Sequence, residues 1–172
     1  CRKEGYRAFK LKAGFGSDID FHNINRIIER LSADEALMLD ANQAWDLAEA
    51  KNFIDMISDF PIAWLEEPLP ADRPEAEWAQ LSSASPIPLA AGENICGIED
   101  FTNRISAGHI AVIQPDVCKW GGVTGCLQVA QAAIKAGKRY CPHYLGGGIG
   151  LLASAHILAA VGGSGLLELD VN

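Results

Sequence analysis

Basic residues are in short supply. Across 172 residues the chain carries 14 Lys and Arg against 22 Asp and Glu, a formal net charge of −8. Nucleic-acid affinity rests on Lys and Arg neutralising phosphates, so a nucleic-acid partner is not expected. An acidic balance suits either a cation site or plain solubility. Paired cysteine spacing is also missing. The five cysteines, at positions 1, 96, 118, 126 and 141, are odd in number and form no CxxC. They read as reduced thiols in a cytoplasmic protein. Cys141 shares an apolar run with a candidate histidine, and it reads as a small buried residue rather than a wall of the site. No signal peptide is expected, and no long apolar run is unbroken. The stretch Leu145–Leu167 is interrupted by seven glycines and His156, so no membrane association is expected. Linkers and low-complexity segments are lacking too. The chain opens on Cys1 and closes on Asp170-Val171-Asn172 straight after an apolar run, so a fragment of a longer protein is expected.

What is present is a regular alternation. Seven β-like runs occur: Ala8–Lys12, Ala36–Asp40, Ala63–Glu66, Pro88–Ala91, Ala111–Gln114, Arg139–Pro142 and Leu166–Leu169. Helical patterns lie between them. Phe21, Ile24, Ile28 and Leu31 mark one apolar face. Leu47, Ala50, Phe53, Ile54 and Ile57 mark a second, opened by Asp46 with Glu49 three residues on, a capping box. Val123, Cys126, Leu127, Ala130 and Ile134 mark a third, closed by Gly137. Alternating strands and helices imply an α/β protein with a parallel sheet, and consecutive apolar residues in the strands imply burial on both faces.

The runs end on polar residues: Lys12, Asp40, Glu66, Glu93, Asp116, His143 and Glu168. Consecutive gaps are 28, 26, 27, 23, 27 and 25 residues, one βα unit per step. In a (β/α)8 barrel the C-terminal strand ends meet at one mouth, where catalysis sits, whereas an open sheet spreads them along a line. The expectation is a TIM-type (β/α)7β barrel, incomplete in this chain with seven of eight strands, occupying residues 1–172 as a single partial domain.

Three acids, Asp40, Glu66 and Glu93, end successive strands. Converging carboxylates repel and raise one another's pKa. Either a divalent cation, for which hard oxygen donors suit Mg2+, or pairing of each acid with a lysine or a helix N-terminus resolves this. The matched positions favour the metal. Glu66 and Glu67 are adjacent and point to opposite strand faces, so one of them faces inward. Asn42, two residues after Asp40, offers a neutral donor on the same face.

Lys10 and Lys12 share a strand face about 6.6 Å apart. At an effective dielectric near 20 their charges repel by about 2.5 kcal/mol. Such a pair lowers the proton affinity of one lysine, as a general base requires. Asp116 and His143 come from neighbouring runs. A carboxylate holding the His Nδ1–H fixes the tautomer and makes the other nitrogen more basic. That other nitrogen is expected to face Lys12. His22, His109 and His156 read as surface or packing residues. Glu168 completes the ring. Lys119, near Gly121-Gly122 at a helix start, either reaches a substrate carboxylate or is solvated.

The segments Phe9–Gly14, Leu39–Gln43, Trp64–Pro68, Ala91–Asn94, Gln114–Gly122 and Pro142-His143 together resemble the mandelate racemase subgroup of the enolase superfamily, over about Arg7 to Leu169. The resemblance implies Mg2+ held by Asp40, Glu66 and Glu93. It makes Lys12 one acid/base tuned by Lys10, His143 with Asp116 the other, and Glu168 a hydrogen-bond donor to an enediolate. The muconate cycloisomerase and dipeptide epimerase subgroup places a lysine where this chain has Asp116, and tends to carry Asp-Glu-Ser where it has Gly92-Glu93-Asn94. The family's N-terminal α+β capping domain has no counterpart in this chain. A small-molecule carboxylate substrate, a hydroxy acid or acid sugar, is implied, with a homo-oligomeric enzyme. The reaction expected is dehydration of an acid sugar. The alternatives are racemisation of an α-hydroxy acid, with Lys12 and His143 as opposed bases, and a non-catalytic metal-binding fragment.

Overall fold

In a computed structural model, which describes residues 1–170, strands and helices alternate as the runs imply. The strands are β1 (Ala8–Lys12), β2 (Ala36–Asp40), β3 (Ile62–Glu66), β4 (Leu89–Ala91), β5 (Val112–Ile113) and β6 (Arg139–Tyr140). The helices are α1 (Ser17–Ile28), α2 (Leu47–Ile57), α3 (Glu75–Ala84), α4 (Ile98–Ala107), α5 (Gly122–Lys135) and α6 (Gly148–Val161). A single 3-10 turn, Arg2–Glu4, precedes β1. Among the described residues no helix is long and apolar enough to cross a membrane.

The chain divides into two compact units, Cys1–Leu89 and the part that begins at Ala90. In the first, β1, β2 and β3 pair in parallel. β2 contributes a continuous buried stretch from Leu37 to Asp40. Trp64, Leu65, Ile54, Ile57, Trp78 and Leu81 fill the core around it. The register shifts between Leu37 and Leu39, so that β3 carries an extra residue there. Such a bulge bends a strand and re-aims its end. Beyond it, Lys12, Asp40 and Glu66 stand in one row across the three strands. α2 starts with the capping box read from the sequence. The Asp46 carboxylate accepts from the Ala48 and Glu49 amides, and Glu49 accepts from the Asp46 amide.

In the second unit Ala90 and Ala91 of β4 pair in parallel with β5, and β5 with β6. Gly92 lets the end of β4 approach β5: a Cβ there would lie 2.3 Å from the Gln114 backbone. β5 and β6 are shorter than their apolar runs because Pro115 and Pro142 follow Gln114 and Cys141 and bring no N–H to a ladder. α5 closes in a Schellman motif. Gly137, at φ 70°, donates to Ile134 O, and Lys138 donates to Ala133 O. Its buried residues are Cys126, Val129, Ala130 and Ala133, whereas the expected Val123 is half exposed in the first turn.

One expected strand does not form. Leu166–Leu169 is irregular backbone. The Leu166 amide donates to Cys141 Sγ at 3.3 Å instead of joining a carbonyl ladder. Apolar pattern alone does not make a strand where the neighbouring β6 offers two residues to pair with. Of the run that closes the sequence, Val171 and Asn172 lie outside the described residues.

Candidate active site

In the first unit the row Lys12–Asp40–Glu66 places two acids and a lysine side by side at strand ends. Asp40 and Glu66 are buried, at 0% and 1% exposure. Buried carboxylates are costly unless paired. Lys10 Nζ donates to Glu66 Oε1 at 2.8 Å and lies 3.5 Å from Asp40 Oδ2. Lys12 Nζ donates to Asp40 Oδ2 at 2.5 Å. Each lysine rests on a carboxylate. Attraction at hydrogen-bond distance outweighs repulsion across a two-residue strand step.

The loop after β2 differs from the strand-face reading. Regular alternation stops at Asp40, and Asn42 (φ 49°) and Gln43 (φ 64°) are left-handed. Asn42 is exposed, and its backbone N–H donates to Asp40 Oδ1 at 2.9 Å. Glu67 is left-handed as well, at φ 42°, and as buried as Glu66, so the simple opposite-face rule ends with β3. Two residues of this unit carried no functional expectation. Asp20, on the face of α1 shared with Ile24, is 2% exposed and accepts from the Gly14 and Phe15 amides at 2.8 and 3.1 Å. It braces the turn that leaves Lys12. An acid four residues before a buried isoleucine was its signal. Gln43 is the other.

In the second unit His143 Nδ1 lies 2.7 Å from Asp116 Oδ2, the pairing expected from the sequence. Both residues are buried. Asp116 is oriented by its own turn: its Oδ1 accepts from the Cys118 amide at 2.7 Å and the Lys119 amide at 3.2 Å. His143 Nε2 is 2.7 Å from Glu93 Oε2 and 3.9 Å from Glu168 Oε2. A carboxylate at 6% exposure needs a counter-charge, and the imidazole supplies it. Lys119 Nζ supplies another, 2.8 Å from the same Glu93 oxygen. Lys119 is thus paired with Glu93 while its side chain stays 43% exposed. Glu168 Oε2 also accepts from the Tyr144 amide, at 3.4 Å.

These contacts set the protonation states. Burial opposes the charge on His143, but the Glu93 hydrogen bond, the Glu93 and Glu168 charges and Asp116 overcome it and raise its pKa above 6.5. Burial likewise opposes the charge on Glu93, and the hydrogen bonds from His143 and Lys119 outweigh it, holding the carboxyl far below the usual range.

The sequence-predicted residues therefore fall into two clusters. Lys10, Lys12, Asp40 and Glu66, with the backbone of Asn42, form one. Glu93, Asp116, Lys119, His143 and Glu168 form the other. The carboxylates of the first fit a hard cation, since one Lys10 ammonium already serves Asp40 and Glu66 together. Among the described residues no three His, Cys, Asp or Glu side chains stand as a ready-made metal cage. His22 and His156 are exposed on α1 and α6, and His109 lies in the turn before β5. Cys126 and Cys141 are buried, and Cys1, Cys96 and Cys118 are exposed; all five are free thiols.

The family profile described as "Enolase C-terminal domain-like" matches residues 1–171. The chain belongs to the enolase superfamily. Its neighbours place it with the mandelate racemase/muconate lactonizing enzymes, whose α/β TIM-barrel class its alternating parallel strands and helices share. A protein of that description from Bordetella bronchiseptica is 55% identical with a TM-score of 0.96, covering 99% of this chain and 48% of that one. An enolase from Bradyrhizobium, complexed with magnesium and mandelic acid, is 38% identical with a TM-score of 0.88, over 99% of this chain and 46% of that one. Among curated relatives, D-galactarolactone cycloisomerase of Agrobacterium fabrum is 35% identical over 93% of this chain and 42% of its own length. L-talarate/galactarate dehydratase of Salmonella typhimurium is 32% identical over 83% and 36%. The chain thus spans about two-fifths of the curated relatives it matches.

Proposed function

We propose that this superfamily member serves a Mg2+-dependent enzyme that removes the proton α to the carboxylate of a hydroxy acid, through an enediolate, and most often completes the reaction as dehydration of an acid sugar. The observation that carries the reading is the buried His143–Asp116 pair at 2.7 Å. An imidazole so held presents one fixed tautomer, and its second nitrogen is the proton-transfer atom. Lys12 Nζ is the proposed acid/base of the first cluster, with Lys10 neutralising charge beside it. Glu168 is the proposed hydrogen-bond donor to the enediolate when protonated. Asp40, Glu66 and Glu93 are the proposed Mg2+ ligands, with Asn42 and Lys119 on the substrate side. Bound Mg2+ supplies the positive charge that stabilises the carboxylate as its α-proton leaves. Asp116 in place of a lysine supports the mandelate racemase type over the cycloisomerase and epimerase type.

Dehydration is supported by the dehydratase among the curated relatives. Racemisation is the second reading, favoured by the neighbour complexed with mandelic acid. Incubation with Mg2+ and a panel of aldonic, aldaric and aromatic α-hydroxy acids in D2O, followed by NMR, separates them. Dehydration gives a 2-oxo-3-deoxy acid. Racemisation returns the starting acid with deuterium at the α-carbon. Absence of both across the panel would leave the proposal without a reaction.

A further inference from the structure

Among the described residues, three non-glycine residues have positive φ, and all three follow the ends of β2 and β3: Asn42, Gln43 and Glu67. Side chains are strained in this region, and such a backbone persists only where its surroundings over-determine it. Here the surroundings are a short seam between two loops. The Ala41 amide donates to Glu66 O at 2.9 Å, the Gln43 amide to Glu67 O at 2.7 Å, and the Trp45 amide to Pro68 O at 3.3 Å. Gln43 uses both its backbone and its side chain. Its side-chain Oε1 also accepts from the Ala71 amide at 2.8 Å, across 28 residues of sequence. One residue therefore clasps the β2–α2 loop to the β3–α3 loop.

That clasp sits beside both carboxylates of the first cluster. Fixing Gln43 fixes Asn42 next to it, and the Asn42 amide holds Asp40 Oδ1. On the other side it fixes Glu67 O, one residue past Glu66. We infer that Gln43 is a positioning residue, which sets the orientation of Asp40 and the spacing of Asp40 from Glu66 so that both address one cation. The inference rests on the reading of these two acids as Mg2+ ligands. Partners behind ligands orient them, and their loss typically weakens metal binding about 10–100-fold.

The test is Mg2+ titration calorimetry on the chain at constant ionic strength, with metal-free melting in parallel. Gln43→Met keeps length and volume and removes the acceptor. Gln43→Glu restores an acceptor. Gln43→Asn tolerates the left-handed backbone well but is one methylene short of Ala71, and it stands in if the Met variant does not fold. The expected result is Mg2+ affinity about tenfold weaker in Gln43→Met and Gln43→Asn, within about threefold of wild type in Gln43→Glu, and a small change in metal-free melting. Unchanged Mg2+ affinity in Gln43→Met or Gln43→Asn overturns the inference, even where melting falls. So does Gln43→Glu binding as weakly as Gln43→Met, because the acceptor is then not what matters. Asp40→Asn and Glu66→Gln separate this from the functional reading. If those two bind Mg2+ as wild type does, the ligand assignment fails, and the role of Gln43 with it.

Discussion

His143 is a buried imidazole with carboxylates on both ring nitrogens: Asp116 on Nδ1 and Glu93 on Nε2, each at 2.7 Å. The pair His143–Glu93 gives a pH signature in metal-free protein. The His143 pKa is raised, so its contribution to stability is full below the unfolded value, near 6.5, and is lost as pH rises through the folded value. The Glu93 pKa is lowered, so its contribution is full above the unfolded value, near 4.5, and is lost as pH falls toward the folded one. Both contribute fully between about pH 4.5 and 6.5. Melting temperature with EDTA present should therefore peak in that window. In His143→Gln the fall on its alkaline side should flatten. An equally steep fall in that variant would assign the titration to another group.

At the level of elements, α2 offers the cleanest local test. Asp46 caps two amides and Glu49 closes the box, all within four residues of sequence. Asp46→Ala should cost about 1 kcal/mol. In a chain of this size that is about 2–4 °C in melting temperature, read also as a lower urea midpoint with an unchanged slope. A drop in slope would mean that more than the cap is lost. The same locality explains what the sequence made legible. The capping box, the Schellman end at Gly137 and the strands β1 and β2 depend on neighbours a few residues away. β5 and β6 stop short of their apolar runs because the prolines at 115 and 142 act on the ladder rather than on the apolar pattern. Leu166–Leu169 has the pattern of a strand, while strand formation is decided by the pairing partner.

Over the whole molecule, spacing of one βα unit placed Lys12, Asp40, Glu66, Glu93, Asp116 and His143 at or just past strand ends, because the fold presents those ends in a repeating way. It did not assign partners. That Lys119 belongs to Glu93, that Lys10 serves Asp40 and Glu66 together, and that Gln43 braces the loops all arise from contacts between distant segments, with 26 residues separating Glu93 from Lys119 and 56 separating Lys10 from Glu66. The proposed Mg2+ ligands are similarly scattered, at positions 40, 66 and 93. An unfolded chain does not gather them, so the cation should bind the native state alone and stabilise it by mass action. At a free Mg2+ concentration one hundred times its Kd the gain is about 2.7 kcal/mol, or about 5–10 °C in melting temperature for a chain of this length. Sodium chloride at equal ionic strength controls for screening of the acidic surface, which acts without a site. EDTA should reverse the Mg2+ gain, and Glu66→Gln should lose most of it. A gain that survives in Glu66→Gln, or one that sodium chloride reproduces, would mean that Mg2+ acts on the net charge of −8 and not on these carboxylates.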